Sequence, residues 1–275
     1  MKKFLLLFLL LIIITKINSQ SRFELFPDDL NIQPFAANSL EPKLGFLFQT
    51  YKNELRLDIG NSLDVFRFYN DKETFTFGAD LFTYTLLRGE ENFHFPVDAV
   101  DYLFGINGSY KNITGDHHYG LRLRISHISA HFVDGHYDGS KQQWRNGLNP
   151  RVYSREFVEL MPFYSYKNLR LYGGYAYLFH VEPSSIGKDN YQAGFDFYAK
   201  DIITDFITPF IGYDMKITHI KEYNFNHSVV FGIKTGRPNG KGLSAYFNFY
   251  SGKSIHGEYF DFDKNYWAFG INIDL

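Results

Sequence analysis

The ten residues from Tyr266 to Leu275, YWAFGINIDL, decide the fold class of this chain. Because side chains point alternately to the two faces of a β-strand, residues two apart share a face. One face of this segment is apolar throughout, and the other carries mostly small or polar side chains. The apolar face consists of Trp267, Phe269, Ile271, Ile273 and Leu275. The segment therefore predicts an amphipathic strand whose apolar face meets either a protein core or a lipid phase.

The two ends of the chain together predict export to an outer membrane. At the N-terminus, two lysines precede an apolar run at 4–15, and a cleavage site follows Ser19. This is the pattern of a secretory signal peptide covering residues 1–19. The run is too short to cross a membrane as a helix. At the C-terminus, the last six residues follow Gly-x-x-apolar-x-apolar. They resemble the terminal strand signal of bacterial outer-membrane barrels, although those usually end in Phe.

The composition favours the same class of protein. The chain has 30 Phe and 21 Tyr, and such an aromatic content is typical of a membrane barrel with an apolar band and aromatic girdles. It has no Cys, which excludes a disulfide framework and a lipid anchor on cysteine. Removal of the predicted signal peptide removes three lysines and no acid, so the net charge changes from −2 to −5. Nothing in this balance favours nucleic acid as a partner.

Amphipathic segments separated by turn residues recur from residue 43 to the end of the chain. We predict an all-β fold, an antiparallel transmembrane β-barrel of about twelve strands, an even number as in bacterial single-chain barrels. The predicted domains are the signal peptide at 1–19, a periplasmic N-terminal lead-in at 20–42 and the outer-membrane barrel at 43–275. The predicted strands are 43–51, 54–69, 73–86, 98–111, 118–132, 151–166, 168–181, 189–199, 207–218, 222–235, 241–251 and 262–275.

The two faces of these strands differ in polarity. The outward faces are rich in Phe, Tyr and Leu, as at Phe77, Leu171 and Phe231. The predicted inward charged residues are Glu54, Arg56, Asp58, Asp80, Arg122, Arg124, Arg170, Asp196 and Lys234. A selective pore usually carries one dominant sign, whereas these charges are mixed. The sequence therefore predicts a narrow or closed barrel whose lumen is crossed by ion pairs.

The strand at 118–132 ends in an unusual outward face, LRISHISAHF at 123–132. His127, Ser129 and His131 continue the face of Leu123 and Ile125, so they face lipid near the outer end of the strand. A serine can act as a nucleophile when a histidine takes its proton and an acid orients the imidazole. The pattern predicts Ser129 as nucleophile and His127 as general base.

Two residues are candidates for the acid that orients the imidazole. Glu156, on the next strand, shares the outward face, and Asp134 lies in the loop that follows His131. The alternative interpretation is that these polar residues only suit the headgroup region. No metal or cofactor is predicted, because His127 and His131 lie about 13 Å apart along a strand and cannot share one ion.

A second polar group occurs at 250–260, YSGKSIHGEYF, which carries Ser251, Ser254, His256 and Glu258. It predicts either a structural glycine-rich turn or another polar cluster beside the outward histidines.

The motifs resemble known proteins at two levels. His127-x-Ser129 is similar to the outward-facing dyad of the outer-membrane phospholipase and of the lipid A deacylase, although Ala130 stands where those have Asn. This resemblance implies hydrolysis of an acyl ester in an outer-leaflet lipid. Over nearly all of the chain after the signal peptide, the sequence resembles the exported bacterial family called domain of unknown function 1207. The motifs that carry this resemblance are FPDD, EPKLGF, RISHISAHFVDG, RLYGGYAYLFH, QAGFDFY and YSGKSIHGEYF. The family pattern has a second Ser at Ala130 and an acid at Gly135, and it implies export to the outer membrane without an assigned activity.

We therefore expect an integral outer-membrane protein of a Gram-negative bacterium. The expected partners are membrane lipids of the outer leaflet and the outer-membrane assembly machinery. The sequence does not indicate which protein, if any, binds the assembled barrel. Two functions other than hydrolysis stay open. One is a structural or partner-binding barrel that acts through its outer loops, chiefly 133–150 with Gln142, Gln143 and Trp144. The other is a narrow pore.

Overall fold

The computed structural model describes residues 21–200, 202–238 and 240–275, so the predicted signal peptide lies outside the described residues. Within them, strands dominate, and four short 3₁₀ turns occur at Glu91–Phe93, Asp134–His136, Arg145–Gly147 and Gly257–Tyr259. No helix in this part of the chain is long and apolar enough to cross a membrane. The strands are β1 Arg22–Leu25, β2 Leu44–Gln49, β3 Glu54–Tyr69, β4 Glu73–Arg88, β5 Val97–Thr114, β6 His117–Phe132, β7 Tyr137–Asp138, β8 Gln143–Trp144, β9 Tyr153–Tyr166, β10 Leu169–Glu182, β11 Asp189–Tyr198, β12 Ile207–Ile220, β13 Glu222–Gly236, β14 Gly242–Lys253 and β15 Asp263–Asp274.

Twelve of these strands close into one antiparallel barrel. Strands β2 to β6 and β9 to β15 pair with their sequence neighbours, and β15 pairs with β2, as in the pair Phe269 and Phe48. The predicted fold class and the predicted number of strands are confirmed. The C-terminal strand alternates as expected, because Trp267 and Ile273 are exposed on the outer surface while Ala268 is fully buried.

The connections between strands differ in length at the two ends of the barrel. At one end they are short, as at 70–72, 115–116 and 167–168, and at the other they include 133–152 and 254–262. Barrels of outer-membrane type carry their longer loops on the extracellular side. We call the end with the longer connections the outer end. Loop 133–152 contains the small hairpin formed by β7 and β8.

The polarity of the two faces follows the prediction. Outward side chains such as Phe77 and Leu171 are exposed, and most of the predicted inward charged side chains are buried, whereas Glu54 and Arg170 are half-buried. The inward charges form ion pairs along the inner wall, either within one strand or between strands that are one or two positions apart in the sheet. These include Arg56 with Asp58 at 2.6 Å, Arg170 with Asp196 at 2.5 Å, Arg124 with Asp80 at 3.1 Å and Lys234 with Asp274 at 2.6 Å.

The first position of the barrel is divided between two short strands. β2 pairs with the outer half of β3, from Glu54 to Ile59, whereas β1 pairs with the inner end of β3, from Phe66 to Tyr69. The chain between β1 and β2 passes into the lumen, where Phe35, Asn38 and Glu41 are fully buried. We call residues 27–43 the plug. The sequence predicted a periplasmic lead-in at 20–42, and the structure instead packs residues 31–42 against the inner wall.

Charged side chains of the wall hold the plug. Both terminal nitrogens of Arg122 donate to the carboxylate of Glu41, at 2.8 and 2.6 Å, and Arg124 donates to it at 3.2 Å. The Arg122 and Arg170 guanidinium groups lie 5.0 and 4.4 Å from the ring centre of Phe35. Because buried charges need partners, the polar lumen and the plug stabilise each other.

Loop 254–262 closes the outer end of the lumen. His256 contacts the Asp101 carboxylate at 2.8 Å, and the backbone N–H of Gly257 donates to the same carboxylate at 2.7 Å. A Cβ atom at Gly257 would lie only 2.3 Å from the ring of Tyr153, so this close approach requires glycine. Of the two interpretations of 250–260, the structure supports the structural turn. Its polar residues Ser254, His256 and Glu258 are buried in the mouth of the barrel rather than placed beside the outward histidines.

Candidate active site on the outer wall

The predicted Ser–His pair lies on the outer surface of the barrel, near the outer end of β6. Leu123 and Ile125, on the same face, are 42% and 44% exposed, which shows that this face points away from the lumen. His127 and Ser129 continue it and are half-buried by their neighbours, and His131 is exposed. The alternation of β6 is therefore unbroken up to the loop.

Cross-strand pairing arranges the outward residues of β5, β6, β9 and β10 in three rows. The deepest row is apolar. The row above it carries two histidines and a glutamate, and we call it the imidazole row. The row nearest the outer end, which we call the hydroxyl row, carries two serines. From β5 to β10 the rows are Ile106, Ile125, Val158 and Tyr177; then Phe104, His127, Glu156 and His180; then Tyr102, Ser129, Ser154 and Glu182.

The carboxylate of Glu156 is the centre of the imidazole row. Its Oε1 lies 2.5 Å from Nδ1 of His127 and accepts a hydrogen bond from the Ser154 hydroxyl at 3.0 Å, and its Oε2 contacts Nδ1 of His180. An ionised carboxylate only accepts hydrogen bonds, so Nδ1 of each ring carries a proton. In a neutral imidazole this leaves Nε2 of His127 free to accept a proton.

His180 reaches this row because β10 contains a bulge. The pairing with β9 shifts between Leu178 and His180, so that Phe179 and His180 are both exposed on the outer side. Without the extra residue, strict alternation would place His180 on the inner face with Leu178. His180 could not be identified from the sequence for this reason, since a bulge leaves no mark on the alternation of apolar residues.

The structure distinguishes the two candidates for the orienting acid. Glu156 contacts His127, whereas the Asp134 carboxylate accepts the N–H of Gly135 at 3.0 Å within its own turn. The ring centre of His131 lies 6.3 Å from that of Tyr102 and outside the imidazole row.

The hydrogen bonds among the described residues do not join Ser129 to His127. Residues i and i+2 of a strand are about 6.6 Å apart along its axis, so the two side chains must turn toward each other for proton transfer. Hydrogen bonds of this kind are often long before substrate binds. The ring of His127 packs on Phe104 with a centroid distance of 4.8 Å, which limits its rotation.

The described residues contain no group of three or more His, Asp or Glu side chains arranged to hold a metal ion. The absence of a metal or cofactor from the activity stays a prediction.

Comparison with solved structures finds other barrels at low sequence identity. The β-domain of the Bordetella autotransporter BrkA is 10% identical with a TM-score of 0.40, and the match covers 84% of this chain and 96% of that one. OmpT, an outer-membrane protein of Vibrio cholerae, is 9% identical with a TM-score of 0.36, covering 94% and 98%. OprD of Pseudomonas aeruginosa is 7% identical with a TM-score of 0.33, covering 81% and 75%. These values transfer no function to this chain.

No curated protein matches the sequence. The family model described as "Protein of unknown function (DUF1207)" matches residues 97–274. The matched region runs from β5 to β15 and includes the imidazole row and loop 254–262, whereas the motifs FPDD and EPKLGF lie before it. The chain belongs to the DUF1207 family of proteins of unknown function.

Proposed function

We propose that this barrel resides in the bacterial outer membrane and hydrolyses an acyl ester of an outer-leaflet lipid. The observation that carries the proposal is the 2.5 Å contact between His127 and Glu156 on the lipid-facing wall. A carboxylate that contacts an imidazole, with a serine two residues away on the same face, gives the three side chains of a serine hydrolase site. On the outer wall, these three side chains can contact only a substrate that approaches through the membrane.

The three rows suggest how such a lipid would be placed. The apolar row offers Ile125 and Val158 to the acyl chain, and the hydroxyl row lies nearer the headgroups. Ser129 Oγ attacks the ester carbonyl carbon, and its proton passes to Nε2 of His127. Glu156 stabilises the resulting imidazolium, which then protonates the leaving alkoxide. Water, activated by the same imidazole, cleaves the acyl-serine ester, which releases the fatty acid and restores the Ser129 hydroxyl.

The test compares lipids from outer membranes that contain the wild type, Ser129→Ala or Ser154→Ala. Ser154 is a matched control, because it lies directly opposite Ser129 on β9 and faces the same lipid. We expect loss of an acyl chain with the wild type, no loss with Ser129→Ala, and a reduced but measurable loss with Ser154→Ala. If only Ser154→Ala abolishes the change, the nucleophile is assigned wrongly.

Identical lipids in all three membranes, with the folded barrel present in each, would refute a hydrolase. A non-enzymatic barrel that binds a partner through its outer loops would then be the better proposal. Loop 133–152 supports this second candidate, because Tyr137 is exposed beside Trp144 on the small hairpin. Crosslinking from this hairpin in intact membranes, followed by identification of the captured protein, tests it. Export, insertion by the outer-membrane assembly machinery and contact with outer-leaflet lipids belong to the same proposal.

A further inference from the structure

A pocket opens at the outer end of the barrel, away from the imidazole row. It has a volume of about 620 Å³, within the range of small-molecule sites. Its walls come from the outer ends of β3 and β4, from the hairpin in loop 133–152 and from the segment that leads into β15. The lining side chains include Lys52, Arg88, Lys141, Arg145, Tyr259 and Phe262.

The floor of the pocket is apolar and rigidly held. Tyr259 and Phe262 pack edge to face with ring centres 5.7 Å apart, and Leu148 lies beside them. The Tyr259 hydroxyl donates to Asp98, whose other oxygen contacts His136 at 3.0 Å. The second nitrogen of His136, a fully buried residue, is 3.1 Å from the Leu148 carbonyl oxygen. Aromatic rings fixed in this way offer a flat surface before any ligand arrives.

The basic side chains of the rim fall into two groups. Arg88 and Lys264 each form a close ion pair. Arg88 contacts Asp98 at 3.2 Å, and Lys264 contacts Glu54 at 3.0 Å. Lys141 and Arg145 belong to the other group, because their only acidic neighbour among the described ion pairs is Asp138, at 3.8 Å from each.

The Asp138 carboxylate accepts hydrogen bonds from its own turn. One of its oxygens accepts the Ser140 hydroxyl at 2.6 Å and the backbone N–H groups of Ser140 and Lys141 at 3.2 Å. Because the hydrogen bond from Ser140 stabilises the ionised form, the pKa of Asp138 lies below its usual value. The Lys141 ammonium and the Arg145 guanidinium are thus left without a close hydrogen-bonded anion. Lys52 adds a third, exposed positive charge on the β2–β3 side of the pocket.

We propose that this pocket binds an anionic saccharide. The aromatic floor suits the apolar face of a sugar ring, and the loosely paired Lys141 and Arg145 suit a carboxylate or a phosphate on it. A free carbohydrate and the glycan of a cell-surface lipid share this chemistry. The ligand enters from the outer end, where the pocket opens beside loop 254–262.

The experiment measures binding to the folded full barrel in detergent by titration calorimetry. The probes are digalacturonate as the carboxylate source, glucose 1-phosphate as the phosphate source and maltose as the neutral control. We expect one or both anionic probes to bind, with affinity falling as salt is added, and maltose to bind at least tenfold more weakly. The two anionic probes distinguish the two sources of charge.

Two variants make the test specific. Lys141→Gln combined with Arg145→Gln removes the loosely paired charges, and we expect about tenfold weaker binding of the anionic probe. Lys72→Gln, on the exposed turn at the inner end, is the matched control and leaves the affinity unchanged. The proposal is overturned if no probe binds, if maltose binds as well as the anions, or if the double variant binds like the wild type. Ser129→Ala binds like the wild type, which separates this site from the lipid site.

Discussion

Glu41 anchors the plug, and its replacement by Gln tests whether the lumen is held closed by charge. All four contacts to this carboxylate come from donors: two nitrogens of Arg122, one of Arg124 and the side-chain amide of Asn38. A Gln side chain has nearly the same shape, but one of its two terminal atoms is itself a donor. At least one donor therefore faces another donor in the fully buried site of the variant.

The expected cost follows from these contacts. Removing one partner of a buried ion pair usually lowers the free energy of unfolding by about 3–5 kcal/mol. Here the two arginines keep other acids, since Arg124 lies 3.1 Å from Asp80 and Arg122 lies 3.3 Å from Glu159. We therefore expect the lower end of that range, about 3 kcal/mol of unfolding free energy. This is roughly a hundredfold change in the unfolding equilibrium.

Urea unfolding of the barrel in lipid vesicles, followed by tryptophan fluorescence, measures this change. With an m-value of about 3 kcal/mol per molar urea, the midpoint of the Glu41→Gln variant falls by about 1 M. The matched control is Asp71→Asn, which removes an exposed ion pair with Arg22 and leaves the midpoint unchanged. If the two variants have the same midpoint, the plug is not anchored through Glu41, and buried charge does not hold the lumen closed.

Three further predictions concern the wall, the outer loop and the lumen. Glu156→Gln lowers lipid hydrolysis about a hundredfold, because the His127 imidazolium loses its partner, whereas Asp134→Asn leaves the rate unchanged; equal rates in the two variants would contradict the assignment. Gly257→Val destabilises loop 254–262 by about 1–3 kcal/mol, since a Cβ would meet the Tyr153 ring at 2.3 Å, and limited proteolysis of the loop measures the loss. Wild-type protein in planar bilayers shows no steady conductance, and open-channel currents at neutral pH would show that the plug does not block the lumen.

Much of the barrel could be predicted from local patterns. Alternation with a period of two depends only on neighbouring residues, so the faces of β6 and β15 were correct, including the outward position of His127 and Ser129. The number of strands and the ion pairs of the lumen followed from the same pattern. Turn residues placed most strand ends within a few positions of those observed, because turns are also local.

The composition of the site could be predicted only in part. Glu156 was a candidate because it shares the outward face of β9, yet the same reasoning left Asp134 open. The choice between the two acids depends on the register of β6 and β9, which are adjacent strands. This register places Glu156 directly opposite His127. His180 could not be found from alternation, since a bulge in β10 turns it to the outer face.

The sequence by itself determined the class of fold, the polarity of its two faces and the outward direction of the Ser–His pair. Only the tertiary structure decided the position of the plug and the partners of Glu156. Glu41 meets Arg122 and Arg124 across separations of 81 and 83 residues along the chain. The residues of the plug have no periodic pattern, so nothing local distinguishes a segment inside the lumen from one outside the barrel. That distinction comes from buried charges that find partners only after the barrel has closed.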